Sequence, residues 1–177
     1  MESCHFSYLP KGKVFFVSVE GIEGCGKSTQ LNLIENHLKD FKDYKTHLFR
    51  EPGGTVFGEE LRKAMLGSQT KVSPLSEAHL FASSRCQLLT EKVLPLLNTE
   101  KNIVLYDRYL HSTIAYQGFG SDLGHKTIYN IHSMYPLNII PHITFYLEID
   151  IETSLERQEL RNNKKDYFES QKRELPL

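Results

Sequence analysis

The chain has 177 residues, enough for one compact domain with a sizeable core. Its 21 basic and 22 acidic side chains leave a formal net charge of −1, so no global charge points to nucleic acid or to an anionic membrane as a partner. Three cysteines, Cys4, Cys25 and Cys86, form no C-x-x-C pair and no even disulfide framework, which suits a reducing compartment and makes the cytoplasm the expected location.

The first twelve residues lack an apolar core of the length a secretory signal needs. They read as a short, poorly ordered extension (1–12) ahead of a single domain over 13–177. No apolar stretch is long enough to span a bilayer. The run Val14–Val19 is a β-favouring strand that enters a glycine-rich turn. Apolar residues Leu31, Ile34, Leu38 and Phe41 then recur at helical spacing, predicting a helix over Lys27–Phe41. Gly21 to Ser28 fits the pattern G-x-x-x-x-G-K-[ST] in the strand–loop–helix context that the motif requires.

The physics of that loop favours a polyphosphate. Gly21, Gly24 and Gly26, with Ile22, Glu23 and Cys25 between them, let backbone N–H groups curl around phosphate oxygens without Cβ clashes. The helix opening at Lys27-Ser28-Thr29 adds its positive dipole end. Lys27 can reach the β- and γ-phosphates, and the Ser28 hydroxyl can ligate Mg²⁺. Cys25 reads as a small residue that fits, and its place near a helix start gives it some sensitivity to oxidation. The chain is therefore expected to bind a nucleoside triphosphate.

Further along lie a weaker strand at Thr46–Phe49 and the loop Arg50-Glu51-Pro52-Gly53-Gly54-Thr55. Arg50 offers a fork suited to phosphate at the carboxyl end of a strand. Helices are predicted over Val56–Leu66 and Leu75–Leu97. In the second, Phe81 and Arg85 are four apart and share a face, so a ring and a guanidinium could hold a base. The strand Ile103–Tyr106 ends in Asp107-Arg108-Tyr109, where an acid near Mg²⁺ is expected beside a phosphate loop. Ser112, Thr113, Tyr116 and Gln117 form a polar-aromatic face after it. Taken singly, these pieces also fit a turn with an exposed arginine, a core phenylalanine beside a solvated arginine, and a strand-end ion pair.

A helix over Leu123–Tyr135, a weak strand near Ile139-Ile140 and a strong one over Ile143–Ile149 follow. The strands are nearly continuous in apolar residues, as expected when a parallel sheet is covered on both faces. The alternation predicts an α/β fold, a three-layer arrangement of parallel sheet and flanking helices. The polar segment Glu156–Asp166 carries Arg157, Arg161, Lys164 and Lys165 and reads as a solvated surface or as a mobile basic lid over a polyphosphate. The eight histidines show no metal-ligand spacing, and most read as surface or helix-end residues.

These segments occur together and in this order in one family. The phosphate loop Gly21–Thr29, Arg50–Thr55, Phe81 with Ser83–Gln87, Asp107–Tyr109, Ser112–Gly118 and the PHITFYLEI strand over 141–149 resemble bacterial thymidylate kinase, a P-loop nucleoside monophosphate kinase. The similarity spans roughly Val14 to Glu169. It implies transfer of the ATP γ-phosphoryl group to dTMP, with Mg²⁺, and a homodimer formed through helices, Leu75–Leu97 being a candidate among them.

The resemblance also implies roles. Arg50 and Arg108 would hold the dTMP phosphate, Phe81 would stack on thymine, and Arg85 would hydrogen-bond its O4 edge. Thr113 would add a contact at the base, and Gln117 would join the substrate-binding residues. Tyr116 would pack at the deoxyribose C2′, and Glu23 would contact the 3′-hydroxyl. Asp107 would help to order the metal shell. Gly24 stands where one branch of the family carries a catalytic arginine, so the positive charge is expected from the lid, with Arg157 and Arg161 the candidates. Two departures stand out: Tyr167 where the family shows arginine, and a C-terminal helix expected to be short or missing. Two rivals remain open at this point. One is a phosphate-loop kinase for another nucleotide or a deoxynucleoside; the other is a nucleotide-binding regulator that has lost catalysis.

Overall fold

The computed structural model describes residues 6–10, 12–68, 70–99 and 101–160. Its frame is a four-stranded parallel sheet built from β2 (Val14–Glu20), β3 (Lys45–Arg50), β4 (Asn102–Asp107) and β6 (Ile143–Tyr146), in the order β3-β4-β2-β6. The register pairs Val19 with Asp107, Arg50 with Asp107, and Glu20 with Tyr146. Glu20, Arg50 and Asp107 therefore end their strands at the same carboxyl end of the sheet, outside which ligands bind in open α/β folds.

Helices cover both faces, giving the expected three layers. On one side Val17, Val19 and Leu105 pack against Leu31 of α1 (Lys27–Leu38). On the other, Phe16, Val104 and Tyr106 join Ala78 and Leu88 of α3 (Pro74–Leu88) and Ile128 of α5 (His125–Ile131). Helix α2 (Val56–Leu66) packs beside α3. The Thr55 hydroxyl caps α2 by accepting from Gly58 N at 2.9 Å, and Ser73 caps α3 ahead of Pro74. Among the described residues no helix is long and apolar enough to cross a membrane.

Several boundaries differ from the sequence expectation, each for a local reason. The extension is ordered over part of its length: β1 (Ser7–Tyr8) pairs in parallel with β5 (Ile139–Ile140), and Leu9 is buried in the core. The two edge strands, β3 and β6, are only partly covered, unlike the central pair. Strand β6 stops at Tyr146, not Ile149, because its partner β2 ends at Glu20 and turns into the phosphate loop. The long helix expected over Leu75–Leu97 gives way to a π turn at Leu89–Val93 and a 3₁₀ turn at Leu94–Asn98. Pro95 lacks the N–H that would continue the α ladder, and its ring crowds the carbonyl four residues back. Gly124, at φ +74°, cannot join a helix with Leu123, so α5 begins at His125.

The polar stretch after β6 is helical at its start. Helix α6 (Ile151–Leu160) is capped by Asp150, whose carboxylate accepts from Thr153 N at 2.7 Å and from Thr153 Oγ1 at 2.8 Å. The first part of the expected lid is thus a defined helix. Arg161, Lys164, Lys165 and Tyr167 lie outside the described residues.

Candidate functional site

The phosphate loop leaves the end of β2 and closes on α1. Gly26, at φ +92°, occupies the left-handed conformation that starts α1. At Gly21 a Cβ would sit 2.6 Å from the Leu147 carbonyl oxygen, so no larger residue fits the turn. Lys27 is buried within the loop, its Nζ donating to the carbonyls of Gly21 at 2.9 Å and Ile22 at 2.8 Å. Burial, and then the positive charge of Arg108, push this ammonium below its ordinary pKa.

Ser28 and Asp107 meet across the sheet. The Ser28 hydroxyl donates to Asp107 Oδ2 at 3.4 Å, while Asp107 Oδ1 is buried with no hydrogen-bond partner among the described residues. An orphaned carboxylate oxygen beside a hydroxyl at the mouth of the loop is a donor set of the hard-oxygen kind that Mg²⁺ takes.

Helix α6 docks on the same loop. The Ser154 hydroxyl donates to Glu23 O at 2.7 Å, and Arg157 Nη1 donates to Gly24 O at 2.9 Å. Gly24 has φ +73°, and a Cβ there would stand 3.1 Å from Ser154 O. Arg157 thus stands against the loop.

A cleft of about 420 Å³ opens beside the loop, lined among others by Ile22, Glu23, Phe81, Arg85, Arg108 and Tyr116. Thr113 and Gln117 line it too, so of the residues expected at the acceptor all but Arg50 come together in one place. Tyr116 and Gln117 belong to a π-helical turn, Ile114–Phe119, that follows the short helix α4 (Leu110–Thr113). Such widened turns are frequent at functional sites. Arg108 is a non-glycine residue at φ +69°. From that corner its Nη1 donates to Ser112 Oγ at 3.1 Å, and its guanidinium lies 5.5 Å over the Tyr116 ring.

Arg50 is the exception. It does not line the cleft: its exposed guanidinium turns to Glu59 at 3.4 Å.

Beneath the cleft floor lies a polar network that sequence reading missed. Arg85 is 1 % exposed, and Glu51 Oε2 sits 2.7 Å from its Nε and 2.6 Å from its Nη2. Thr113 Oγ1 accepts from Nη2 at 3.1 Å, and the guanidinium lies 4.6 Å over the Tyr109 ring. Burial pushes the Glu51 carboxyl up to about 6, even against the pull of Arg85. Glu20 was missed as well. Its carboxylate accepts from Tyr109 N at 2.8 Å and from Ser112 Oγ at 2.6 Å, tying the strand end to the start of α4. The α6 residues Ile151, Ser154, Leu155 and Gln158 also line the cleft. Their signal was present in the Asp150 cap and the four-residue spacing of Ile151 and Leu155.

The chain is similar to known proteins over most of its length. The sequence profile of the family described as thymidylate kinase matches residues 19–175. A thymidylate kinase of Thermoanaerobacter sp. (strain X514) is 40% identical over 148 residues, covering 84% of this chain and 71% of the relative. One from Fervidobacterium nodosum is 40% identical over 159 residues, covering 90% of this chain and 78% of the relative. The crystal structure of thymidylate kinase from Ehrlichia chaffeensis superposes with a TM-score of 0.70 at 33% identity, covering 81% of each chain.

Proposed function

Because the chain belongs to the thymidylate kinase family, we propose that it transfers the γ-phosphoryl group of ATP to dTMP, giving dTDP and ADP, in the cleft between the phosphate loop and Arg85. The observation that carries this reading is one concave site. It joins a loop suited to polyphosphate, an arginine at a strained strand end, and a buried guanidinium facing an aromatic ring.

The chemistry asks little of proton transfer. The nucleophile is a dTMP phosphate oxygen, and with a second pKa near 6 the group is mostly dianionic at neutral pH. No general base is required. The protein must bring two anions together in line and neutralise the charge of the transferred group. On the donor side Lys27 and the loop Gly21–Thr29 would hold the ATP phosphates, with Arg157 and Arg161 adding charge from α6 and beyond. Ser28 and Asp107 would hold Mg²⁺, which supplies charge neutralisation at the phosphates when bound.

On the acceptor side Arg108 would clamp the dTMP phosphate. Arg50 would join it after leaving Glu59, which at 3.4 Å from an exposed guanidinium holds it only weakly. Phe81 would stack on thymine, Arg85 would donate to O4, and Thr113 and Gln117 would complete the base edge. Tyr116 would lie against the sugar, and Glu23 would take its 3′-hydroxyl. The same reading includes a cytoplasmic homodimer through helices. Exposed Val56, Phe57 and Leu75 give α2 and α3 apolar surface for such contact.

Calorimetric titration tests this assignment. Binding of dTMP is expected to exceed that of thymidine at least about tenfold, the scale of one charge-assisted contact to phosphate, and dCMP is expected to bind more weakly than dTMP. Equal affinity for thymidine and dTMP would remove the phosphate clamp. The thymidine titration also carries a pH signature, since thymidine itself does not ionise between pH 5 and 7. Ionised Glu51 is the form that grips Arg85, and its carboxyl titrates near 6. Thymidine affinity should therefore fall by up to about tenfold between pH 7 and pH 5, the most that one such group allows. A flat profile would detach Glu51 from base binding.

A further inference from the structure

Arg85 is held from three elements, and the third holder is a histidine that none of the roles above uses. His132, at the end of α5, is fully buried, and its Nε2 lies 2.7 Å from Arg85 Nη1. A guanidinium only donates, so Nε2 is the acceptor. The other ring nitrogen, Nδ1, lies 2.8 Å from the Ile128 carbonyl oxygen and donates to it. This bond fixes the tautomer and the ring plane. Burial, with the Arg85 charge beside it, pushes the imidazole down to about 3, so the neutral acceptor persists through any working pH.

The geometry assigns a job to this contact. Glu51 spans Nε and Nη2, and Thr113 engages Nη2, so these two partners fix one end of the fork. Nη1 carries two hydrogens. One goes to His132, and the other has no acceptor among the described residues, while Arg85 lines the cleft. We infer that His132 is a positioning residue for nucleobase recognition: by taking one Nη1 hydrogen it aims the other at the pyrimidine edge in the cleft. The inference rests on the reading that Arg85 contacts the base. It predicts that specificity at the base edge depends on a residue 47 positions away that touches no substrate.

Steady-state kinetics with His132→Asn, His132→Gln, Arg85→Ala and the Arg85→Ala/His132→Asn double variant separate the two statements, with melting temperatures measured alongside. An asparagine amide can replace Nδ1 toward Ile128 but does not reach Arg85. A glutamine oxygen can replace Nε2. His132→Asn is expected to raise the dTMP KM about tenfold, as for a lost partner of a charged group, with kcat and the ATP KM within about twofold. His132→Gln should restore most of the loss, and adding His132→Asn to Arg85→Ala should change the dTMP KM no further. An unchanged dTMP KM in His132→Asn, beside a raised one in Arg85→Ala, would overturn the positioning role alone. So would a loss that persists in the Arg85→Ala background. An unchanged dTMP KM in Arg85→Ala would overturn the base-contact reading and the positioning role with it.

Discussion

Replacing Lys27 with methionine is expected to lower kcat by a factor of roughly 10³ or more, the scale on which removal of a charge acting on a transferred phosphoryl group is felt. The loss should appear in kcat more than in the dTMP KM, because Arg50 and Arg108, the proposed holders of the acceptor phosphate, are untouched. Methionine keeps the length of the side chain and removes only the ammonium. The fold should tolerate this well. Lys27 is buried, its charge is disfavoured by burial and by Arg108, and its partners in the loop are two backbone carbonyls and the Cys25 sulfur. Relieving a desolvated charge offsets the lost hydrogen bonds. A melting temperature within a few degrees of the parent, alongside the kinetic loss, is the expected pair of results. A kcat within tenfold of the parent would mean that this ammonium does not act on the phosphates.

Glu51→Leu should produce the largest loss of stability of any single change at the site. Its carboxylate is the counter-charge of Arg85, and both side chains are nearly inaccessible, at 4% and 1%. Removing one partner of a buried pair leaves the other charge uncompensated, a cost of about 3–5 kcal/mol. For a domain of this size that corresponds to a fall in melting temperature on the order of 10 °C. The Glu51→Leu/Arg85→Leu double variant should recover much of that stability, because two apolar side chains can replace a buried pair, yet it should not recover dTMP binding. Thermal melting of the three proteins reads this directly. A Glu51→Leu protein within about 1 kcal/mol of the parent would show that Arg85 finds another counter-charge.

The fold and the glycine-rich loop ahead of α1 were legible because their determinants are local. The phosphate loop is one contiguous stretch whose glycines have a steric reason to be there, and the central strands announce themselves as continuous apolar runs. The edges were less legible. Strands β3 and β6 are half-covered, and where β6 ends depends on where β2 turns away, which is not written in the sequence of β6. Helix breaks at Pro95 and Gly124 were readable in principle, yet the apolar periodicity continues across both.

The cleft was legible only in its parts. Phe81 and Arg85 stood out by their spacing, but the partners that make Arg85 a fixed donor come from 34, 28 and 47 residues away. No local pattern marks Glu51 or His132 as buried. His132 does end a helix, as most histidines here were expected to do, but it ends that helix inside the core. Arg50 shows the converse. Its segment is distinctive, yet its guanidinium lies turned to Glu59 on the exposed side.

The most direct measurement is ADP formation from Mg-ATP by the 177-residue chain, with dTMP, dUMP, dCMP, dGMP and thymidine supplied as separate acceptors. Turnover with dTMP, weaker turnover with dUMP and none with thymidine is the predicted result. Faster turnover with another monophosphate or with thymidine, or ATP binding without ADP formation from any acceptor, would contradict the account.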